Sequence, residues 1–394
     1  MVEVSKRPPT IGWDIEAERL LWRSICAPNS WHGKDGVSVS THDESLWHFL
    51  SKAWGAQFYL KSHPAEPQWL YAPIHVPYCS WLQFHLLAWK KHALSGTPGQ
   101  YHIASVLPRG YGKTVSSTKA ATLWTHLDDC DMTVLIQSAT DDLSVDILKS
   151  QMAVMGGEDP DSWFCWLYGN WMAGAKEKSR NSIKHGYRRA RNISEPSFDA
   201  SSAGIGATGY HPRQSWWDDP LEKNKLKAEK VAYLRGQHEA VNASANSLHR
   251  NGLRALTLTR YLDDDIAGRH FREEGIATWT GMPCPHMALF DKVIFGEGVW
   301  HVFYYQTEDE VTGEPTHPKL WTRDMIRLAK ADPEDFACQQ QNNPGSGDHA
   351  PLVEAQIPWL YMDYADFMWE TTPEWATIHI DTAFKNKDSI GQGD

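Results

Sequence analysis

Residues 101–114, YHIASVLPRGYGKT, constrain the fold of this chain more than any other segment. An extended, partly apolar run enters a glycine-containing turn that ends in Gly112, Lys113 and Thr114, and a helix is predicted over 115–127. A strand, a tight loop, the Gly-Lys-Thr triplet and a helix form the context of a phosphate-binding loop. Backbone N–H groups at the start of such a helix point at phosphates, and the helix dipole favours their negative charge.

The residues of this loop suggest a nucleotide with its metal. Gly110 and Gly112 supply the turn, Lys113 would reach the β- and γ-phosphates, and the Thr114 hydroxyl would hold Mg²⁺. The sequence therefore predicts ATP and Mg²⁺ as cofactors. The generic pattern has a further glycine at the position of Leu107. The alternative is an ordinary strand-to-helix turn.

Composition and charge narrow the class of protein. The chain has 394 residues, 41% hydrophobic and 22% charged, which is typical of a soluble protein with two domains or one large domain and an appendage. No apolar run approaches the ~18 residues of a membrane span, so we expect no membrane partner. Six cysteines without a C-x-x-C pair indicate reduced thiols inside a cell. A net charge of −11 argues against indiscriminate coating of nucleic acid.

The order of predicted elements favours a parallel sheet. The β-branched run MTVLIQSA, at 132–139, is the next predicted strand after the helix, and 252–261 is another. Strand, helix and strand in succession predict a βαβ crossover. A helix is also expected around 42–56.

The segment at 75–94 is predicted to be a loop followed by an amphipathic helix. Trp81, Phe84, Leu87 and Ala88 recur at helical spacing and would form its apolar face.

A phosphate loop needs an acidic partner at the end of a neighbouring strand. In Trp217-Asp218-Asp219-Pro220, Asp218 would orient the metal and Asp219 would polarise the attacking water. Glu222 is the fallback for that second role, which a Glu usually fills. The alternative interpretation is a turn or a helix start.

Three segments together resemble one family, the large terminase subunit of tailed bacteriophages, over about residues 75–390. PRGYGKT at 108–114 is similar to that family's phosphate loop, which often lacks the first glycine and carries an arginine at the position of Arg109. GATGYH at 206–211 resembles its approach to the acidic motif. LTRYLDDDIAGR at 258–269 resembles its coupling motif, T-R-W-H-x-D-D-L-x-G-R, with Tyr261 and Leu262 in place of Trp and His.

The resemblance implies a fold and an activity. The fold would be an α/β P-loop NTPase of the ASCE, RecA-like type, a mainly parallel sheet flanked by helices. The activity would be ATP hydrolysis that translocates double-stranded viral DNA into a procapsid. Implied partners are the portal protein of the procapsid, a small terminase subunit and further copies of the chain in a homo-oligomeric ring, a pentamer. Such a motor acts in the host cytoplasm.

The resemblance also implies roles for single residues. Gln83 would cradle adenine, and Arg109 would contact the nucleotide in cis. Thr259 would sense the γ-phosphate and transmit hydrolysis, although a Thr here is also typical of a simple cap on a strand-to-helix turn. An arginine acting on a neighbouring subunit's nucleotide is expected in the basic stretch at 176–191, which is alternatively a solvated surface. The candidates are Arg188, Arg189 and Arg191.

The end of the chain resembles the beginning of another domain. IHIDTAF at 378–384 is similar to the first strand of an RNase H-like nuclease, with Asp381 as the first metal ligand and Asp388 as a possible second. An edge strand with an exposed Asp is the alternative. Only residues 382–394 follow Asp381, whereas a domain needs on the order of 100 residues. We therefore expect an incomplete nuclease domain.

The predicted organisation has four parts. They are an N-terminal helical region at 1–74, the ATPase domain at 75–339, a linker at 340–374 and the first nuclease strand at 375–394. Two other functions stay open. A nucleotide-binding assembly module without hydrolysis would explain an acidic pair without a catalytic Glu. A metal-dependent endonuclease would need further ligands beyond Asp381 and Asp388.

Overall fold

The computed structural model describes most of the chain between residues 15 and 344. The described ranges are 15–26, 44–54, 70–157, 163–176, 178–190, 192–202, 211–228, 230–262, 264–283 and 296–344. They lie in one compact unit, Met1–Gly347. The predicted nuclease segment at 375–394, with Asp381 and Asp388, lies outside the described residues, as does most of the predicted linker.

A mixed sheet of eight strands forms the centre of this unit. The strands are β1 Tyr101–Val106, β2 Val134–Ser138, β3 Ser182–Ile183, β4 Phe198–Ser202, β5 Gln214–Asp218, β6 Leu253–Leu258, β7 Ile276–Gly281 and β8 Trp300–Tyr304. Their spatial order is β3-β4-β2-β5-β6-β1-β8-β7. All neighbours are parallel except β3 and β4. The predicted α/β class with a mainly parallel sheet is confirmed, and the predicted strands are β1, β2 and β6.

Helices cover both faces of the sheet. They are α1 Ile15–Cys26, α2 Ser45–His48, α3 Ala72–Leu94, α4 Thr122–Asp128, α5 Asp141–Met152, α6 Trp163–Tyr168, α7 Lys223–Ala228, α8 Lys230–Ser247, α9 Ile266–Glu274, α10 Arg323–Ala329 and α11 Pro333–Asp335, with π-helical turns at Phe49–Ala53, Val115–Ala121, Ala153–Gly157 and Phe336–Gln340. The helix expected around 42–56 is present as α2 and the turn after it. Among the described helices, none is long and apolar enough to cross a membrane.

The pleat of the strands divides the core into two clusters. Ile103 and Trp216 point to the face that α1–α6 cover, whereas their chain neighbours Ala104 and Trp217 point to the face that α7–α9 cover. Every residue of β2, β5 and β6 is buried. This double burial explains why large apolar residues occur on both faces of a strand, as Trp216 and Trp217 of β5 do.

Helix α3 corrects the prediction for 75–94. The helix begins at Ala72 and continues through Pro77, with no preceding loop at 75. The predicted apolar face is wrong at Phe84, whose side chain is 65% exposed, while Leu82 and Leu86 are buried. Because α3 packs against α2, β1 and the helix after the phosphate loop, most of its circumference is covered. The spacing of apolar residues therefore could not identify its exposed side.

A buried histidine connects α4 to the start of β4. The His126 Nδ1 atom lies 3.0 Å from the Thr122 carbonyl oxygen, and Nε2 lies 3.2 Å from the Met132 and Ser197 carbonyl oxygens. Burial lowers the pKa of His126 to about 4, against 6.5 for an ordinary histidine. At pH 7 the folded ring is therefore neutral and carries one proton, so only one of its two nitrogens donates to these carbonyl oxygens.

This shift predicts a loss of stability in acid. The unfolded chain binds a proton at His126 near pH 6.5, and the folded chain does so only near pH 4. The free energy of unfolding should thus fall as pH decreases from 6.5 towards 4. Between pH 7 and pH 5, His126 should account for about 2 kcal/mol of the fall in the free energy of unfolding. Urea unfolding of His126→Gln should show a pH dependence weaker by this amount, whereas the exposed His211→Gln control should behave like the wild type. Equal pH dependence in all three proteins would contradict the prediction.

Candidate functional site

The strand order brings three predicted motifs to one edge of the sheet. β6 lies between β1, which leads into the phosphate loop, and β5, which ends in the acidic pair. In register, Val106 lies beside Leu258, and Asp218 lies beside Thr257. Because the three strands are parallel, the segments after their carboxyl ends converge at the same edge, where ligands of open α/β sheets bind.

The phosphate loop turns on two glycines before the helix begins. Gly110 and Gly112 have φ angles of 88° and 64°, in the left-handed region that favours glycine. The first helical residues are Lys113 and Thr114. The first backbone N–H groups of this helix have no partners within it, so they are available to an anion.

His75 of α3 fixes the back of the loop. Its Nδ1 atom accepts a hydrogen bond from the Tyr71 backbone N–H at 2.9 Å, so the ring proton lies on Nε2. Nε2 donates to the Tyr111 carbonyl oxygen at 2.9 Å. Burial lowers the pKa of His75 to about 4, which keeps the ring neutral. The Tyr111 side chain is buried, and its hydroxyl lies 3.0 Å from the Thr316 hydroxyl.

Asp218 joins the acidic strand to the helix after the loop. Its carboxylate accepts hydrogen bonds from the hydroxyls of Thr114, at 2.7 Å, and Thr118, about one turn later. The residue is 4% exposed. Burial, followed by the charge of Asp219, raises the pKa of Asp218 to about 6, while Thr118, Lys113 and Thr114 favour the charged form.

Asp219 connects the phosphate loop to β6. Its Oδ2 atom lies 3.0 Å from the Lys113 Nζ atom, and its Oδ1 atom accepts a hydrogen bond from the Thr259 backbone N–H at 3.1 Å. Its own N–H donates to the Thr257 carbonyl oxygen at 2.8 Å. The φ angle of Asp219 is 41°, a left-handed conformation that Asp tolerates better than most residues.

These groups fit a magnesium-bound nucleotide. Mg²⁺ is usually bound in proteins by one or two carboxylates, together with water and substrate phosphates. The Thr114 hydroxyl and the Asp218 carboxylate, 2.7 Å apart, form a donor set of this kind beside a lysine and a helix start. Within the described ranges, no group of three or more His, Cys, Asp or Glu is placed to hold a metal ion.

Thr259 does not cap the helix that follows it. The cap of α9 is Asp265, whose side chain accepts a hydrogen bond from the Gly268 N–H. Thr259 is buried, and its hydroxyl lies 3.5 Å from the Leu107 carbonyl oxygen at the start of the phosphate loop. The next residue, Arg260, pairs with the fully buried Asp265 at 2.8 Å and 2.9 Å. The segment after β6 is therefore anchored to the phosphate loop on one side and to α9 on the other.

Other predicted residues lie away from this group. Gln83 lies in the middle of α3, where its side-chain oxygen accepts a hydrogen bond from the Leu46 N–H at 2.8 Å. Glu222 pairs with Lys225 at 2.6 Å. The adenine role of Gln83 stays a prediction.

The two candidate arginines that the structure describes lie at the opposite edge. Arg188 and Arg189 belong to the connection from β3 to β4. Because β3 is antiparallel to β4, with Ile183 beside Phe198, this connection lies at the amino-terminal edge of the parallel strands. In agreement with this position, the Arg189 N–H donates to the Asp131 carboxylate, just before β2. Neither arginine reaches the phosphate loop of its own chain. Arg191 and residues 206–210 lie outside the described residues.

Several contacts of the site were not predicted. Thr118 follows Thr114 by four residues, and this spacing in the sequence indicates that both side chains lie on one face of a helix. The Arg109 N–H and Nη1 atoms both donate to Gln339, to its backbone and side-chain oxygens respectively, each at 2.9 Å. Residues 341–343 are buried, so the compact unit runs past the boundary predicted at 339.

Comparison with known proteins adds no relative: no protein-family model matches this chain, and no curated protein matches it significantly.

The role of Thr118 can be measured through stability. Thr118→Val keeps the shape of the side chain and removes a hydrogen bond to the buried Asp218 carboxylate. We expect the free energy of unfolding in urea to fall by about 1–3 kcal/mol at pH 8, because the carboxylate loses a charge-assisted bond. Thr118→Ser retains the hydroxyl and should recover most of this loss. If the Ser and Val variants were equally unstable, the methyl group and not the hydrogen bond would be responsible.

Proposed function

We propose that this chain binds magnesium–ATP at the edge formed by the phosphate loop, the acidic pair and the end of β6, and hydrolyses it. We further propose that it is the P-loop ATPase part of a large terminase subunit, which moves double-stranded DNA into a viral procapsid. The observation that carries the proposal is the position of Asp219. It contacts both Lys113 of the phosphate loop and Thr259 of the coupling motif, one residue after the Asp218 that is bonded to Thr114.

The binding step follows from the groups at the helix start. Phosphate oxygens would accept hydrogen bonds from the loop N–H groups and from Lys113. Magnesium, when bound, neutralises the charge that develops on the phosphates during transfer. Thr114 and Asp218 would hold it, and Thr118 keeps the Asp218 carboxylate turned towards Thr114.

Hydrolysis would begin with an exchange of partners. Lys113 pairs with Asp219, and a γ-phosphate competes for the same ammonium group. When Lys113 turns to phosphate, the Oδ2 atom of Asp219 becomes free to accept a hydrogen bond from water. The carboxylate can then orient this water for attack on the γ-phosphorus, as the bond to the leaving ADP oxygen breaks. The Thr259 N–H holds the Oδ1 atom of Asp219 meanwhile.

The hydrogen bond between Asp219 and Thr259 would also couple hydrolysis to motion. Any shift of Asp219 on hydrolysis changes its hydrogen bond to Thr259. The next residue, Arg260, is locked to the cap of α9 through Asp265, so the shift is passed to the start of that helix. A hydrogen bond that exists in one nucleotide state and not in the other is a suitable trigger for such motion.

The remaining assignments rest on the resemblance of the motifs. They comprise double-stranded DNA, the portal of the procapsid, a small terminase subunit and a pentameric ring in the host cytoplasm. The end of β6 supports the resemblance in one respect: Thr259 lies between the phosphate loop and α9, where a coupling residue has to be. Asp381 and Asp388 stay predicted ligands of a nuclease strand outside the described residues.

The first test addresses hydrolysis. Lys113→Ala should lower the ATP turnover of the chain about 10²–10³-fold, because it removes a positive charge from the transition state. Lys149→Ala is a control, since this lysine is exposed on α5 and pairs with Asp146 of the same helix. It should keep turnover near that of the wild type. Unchanged turnover in Lys113→Ala would exclude the phosphate-loop assignment. If the wild-type chain bound ATP without hydrolysing it, the result would favour the assembly module instead.

The second test addresses coupling. Thr259→Val removes the hydroxyl that the resemblance assigns to sensing the γ-phosphate and leaves the backbone N–H that bonds to Asp219. It should retain nucleotide affinity and lower DNA-dependent turnover and translocation by about tenfold or more. Thr257→Val is the control from the same strand. Its hydroxyl lies 2.9 Å from that of Ser117, within the core. We expect it to lower the melting temperature and to leave turnover per folded molecule nearly normal. If Thr259→Val behaved in the same way as this control, the Thr259 hydroxyl would have no role in coupling.

A further inference from the structure

Residues 336–343, which we call the amide segment, lie against the same edge of the sheet as the candidate site. The segment reads FACQQQNN. It contacts the phosphate loop through Gln339, whose backbone oxygen accepts a hydrogen bond from the Arg109 N–H. The Gln339 side chain accepts a second bond from the Arg109 Nη1 atom, at 2.9 Å. Two bonds between the same two residues fix both the path of the loop and the direction of the arginine side chain.

The chemistry of its neighbours determines the orientation of the Gln339 amide. An arginine can only donate hydrogen bonds, so the oxygen of the amide must face Arg109. The nitrogen donates to the Asp335 carboxylate, which can only accept when it is ionised. Asp335 in turn pairs with Lys223, shortly after the acidic pair. Gln339 thus lies between a cation and an anion, in the one orientation that satisfies both.

Burial makes this arrangement rigid on one side only. Gln339 is 3% exposed, whereas Arg109 is exposed to solvent. Within the described part of the chain, Gln339 is the only hydrogen-bonding partner of the Arg109 guanidinium. The other N–H groups of this guanidinium make no hydrogen bond to a described residue. They are available to phosphate oxygens while the side chain is held at one point.

We propose that Gln339 is a positioning residue that holds Arg109 for the phosphates of the bound nucleotide. The inference rests on the proposed function, because it assigns Arg109 to the same site. A free arginine loses much rotational freedom when it engages a transition state. A tethered arginine has lost part of this freedom already, so the bond to Gln339 lowers the barrier to transfer more than it strengthens ground-state binding.

The amide segment is also bonded to the segment after β6. The Asn342 side-chain oxygen accepts a hydrogen bond from the Arg260 N–H at 3.1 Å, and its amide nitrogen donates to the Tyr305 carbonyl oxygen at 2.9 Å. The Cys338 thiol donates to the Tyr261 carbonyl oxygen at 3.3 Å. The group that holds Arg109 is therefore fixed to the scaffold on both sides and does not move with Arg109 alone.

The test replaces Gln339 by a side chain of similar length without hydrogen bonds. Gln339→Met should lower kcat for ATP hydrolysis on the order of tenfold, the effect of one lost charge-assisted bond, and change KM much less. Gln340→Met is the matched control. It is the same residue type at the next position, and its side chain bonds to Thr307 instead of the loop. This control should keep the wild-type kcat. Melting temperatures of both variants report any loss of folded protein.

A double-mutant cycle separates positioning from a general structural role. In the Arg109→Ala background, Gln339→Met should cause no further loss of kcat, because the group that it positions is gone. The inference is overturned if kcat falls tenfold in both backgrounds, or if Gln339→Met retains the wild-type kcat. Failure of the proposed function looks different. In that case the wild type shows no turnover, or turnover survives in Lys113→Ala, and Gln339 then has no reaction to serve.

Discussion

The buried carboxylate of Asp218 is the group on which the rest of the site depends. A carboxylate removed from water is unfavourable by several kcal/mol unless hydrogen bonds replace its hydration. Two hydroxyls from successive turns of one helix, those of Thr114 and Thr118, provide these bonds. They fix the rotation of the helix about its axis and its height above the sheet. The position of Lys113, the first residue of that helix, follows from this constraint.

The carboxylate of the next residue, Asp219, has to be turned towards the same site. Consecutive residues of a strand point to opposite faces, so a strand alone could not bring two adjacent carboxylates to one site. The chain turns at Asp219 into a left-handed conformation, with φ at 41°, and the following Pro220 prevents the strand from continuing. The second carboxylate is thereby directed at Lys113 and at the end of β6. Because Asp219 takes this strained conformation, the two carboxylates of the acidic pair have different partners.

The sequence predicts the parts of the fold that local chemistry determines. The βαβ unit, the strands β1, β2 and β6 and the turn at Gly110 and Gly112 all follow from short patterns. The exposed position of Phe84 does not, because it depends on what packs around α3 from distant parts of the chain. For the same reason the sequence does not predict β8, whose neighbour in the sheet is β1, almost 200 residues earlier. The convergence of Lys113, Asp218 and Thr259 requires the strand order, which the spacing of motifs suggests but does not determine.

The amide segment shows that composition alone does not identify a linker. A run of Gln, Asn, Gly and Pro is typical of a linker, and the sequence predicts a linker that begins at residue 340. The structure instead places the side chains of Gln341 and Asn342 in the core, at 6% and 2% exposure. Where parallel strands end, main-chain N–H and C=O groups are left without ladder partners, and both kinds occur close together. An amide side chain offers a donor and an acceptor at once, as Asn342 does to Arg260 and Tyr305. It also carries no charge, so it can close such an edge beside the proposed phosphate site without altering the field that an anion would meet there. Amide-rich chain at the carboxyl edge of a sheet is thus compatible with close packing, and only its partners distinguish it from a linker.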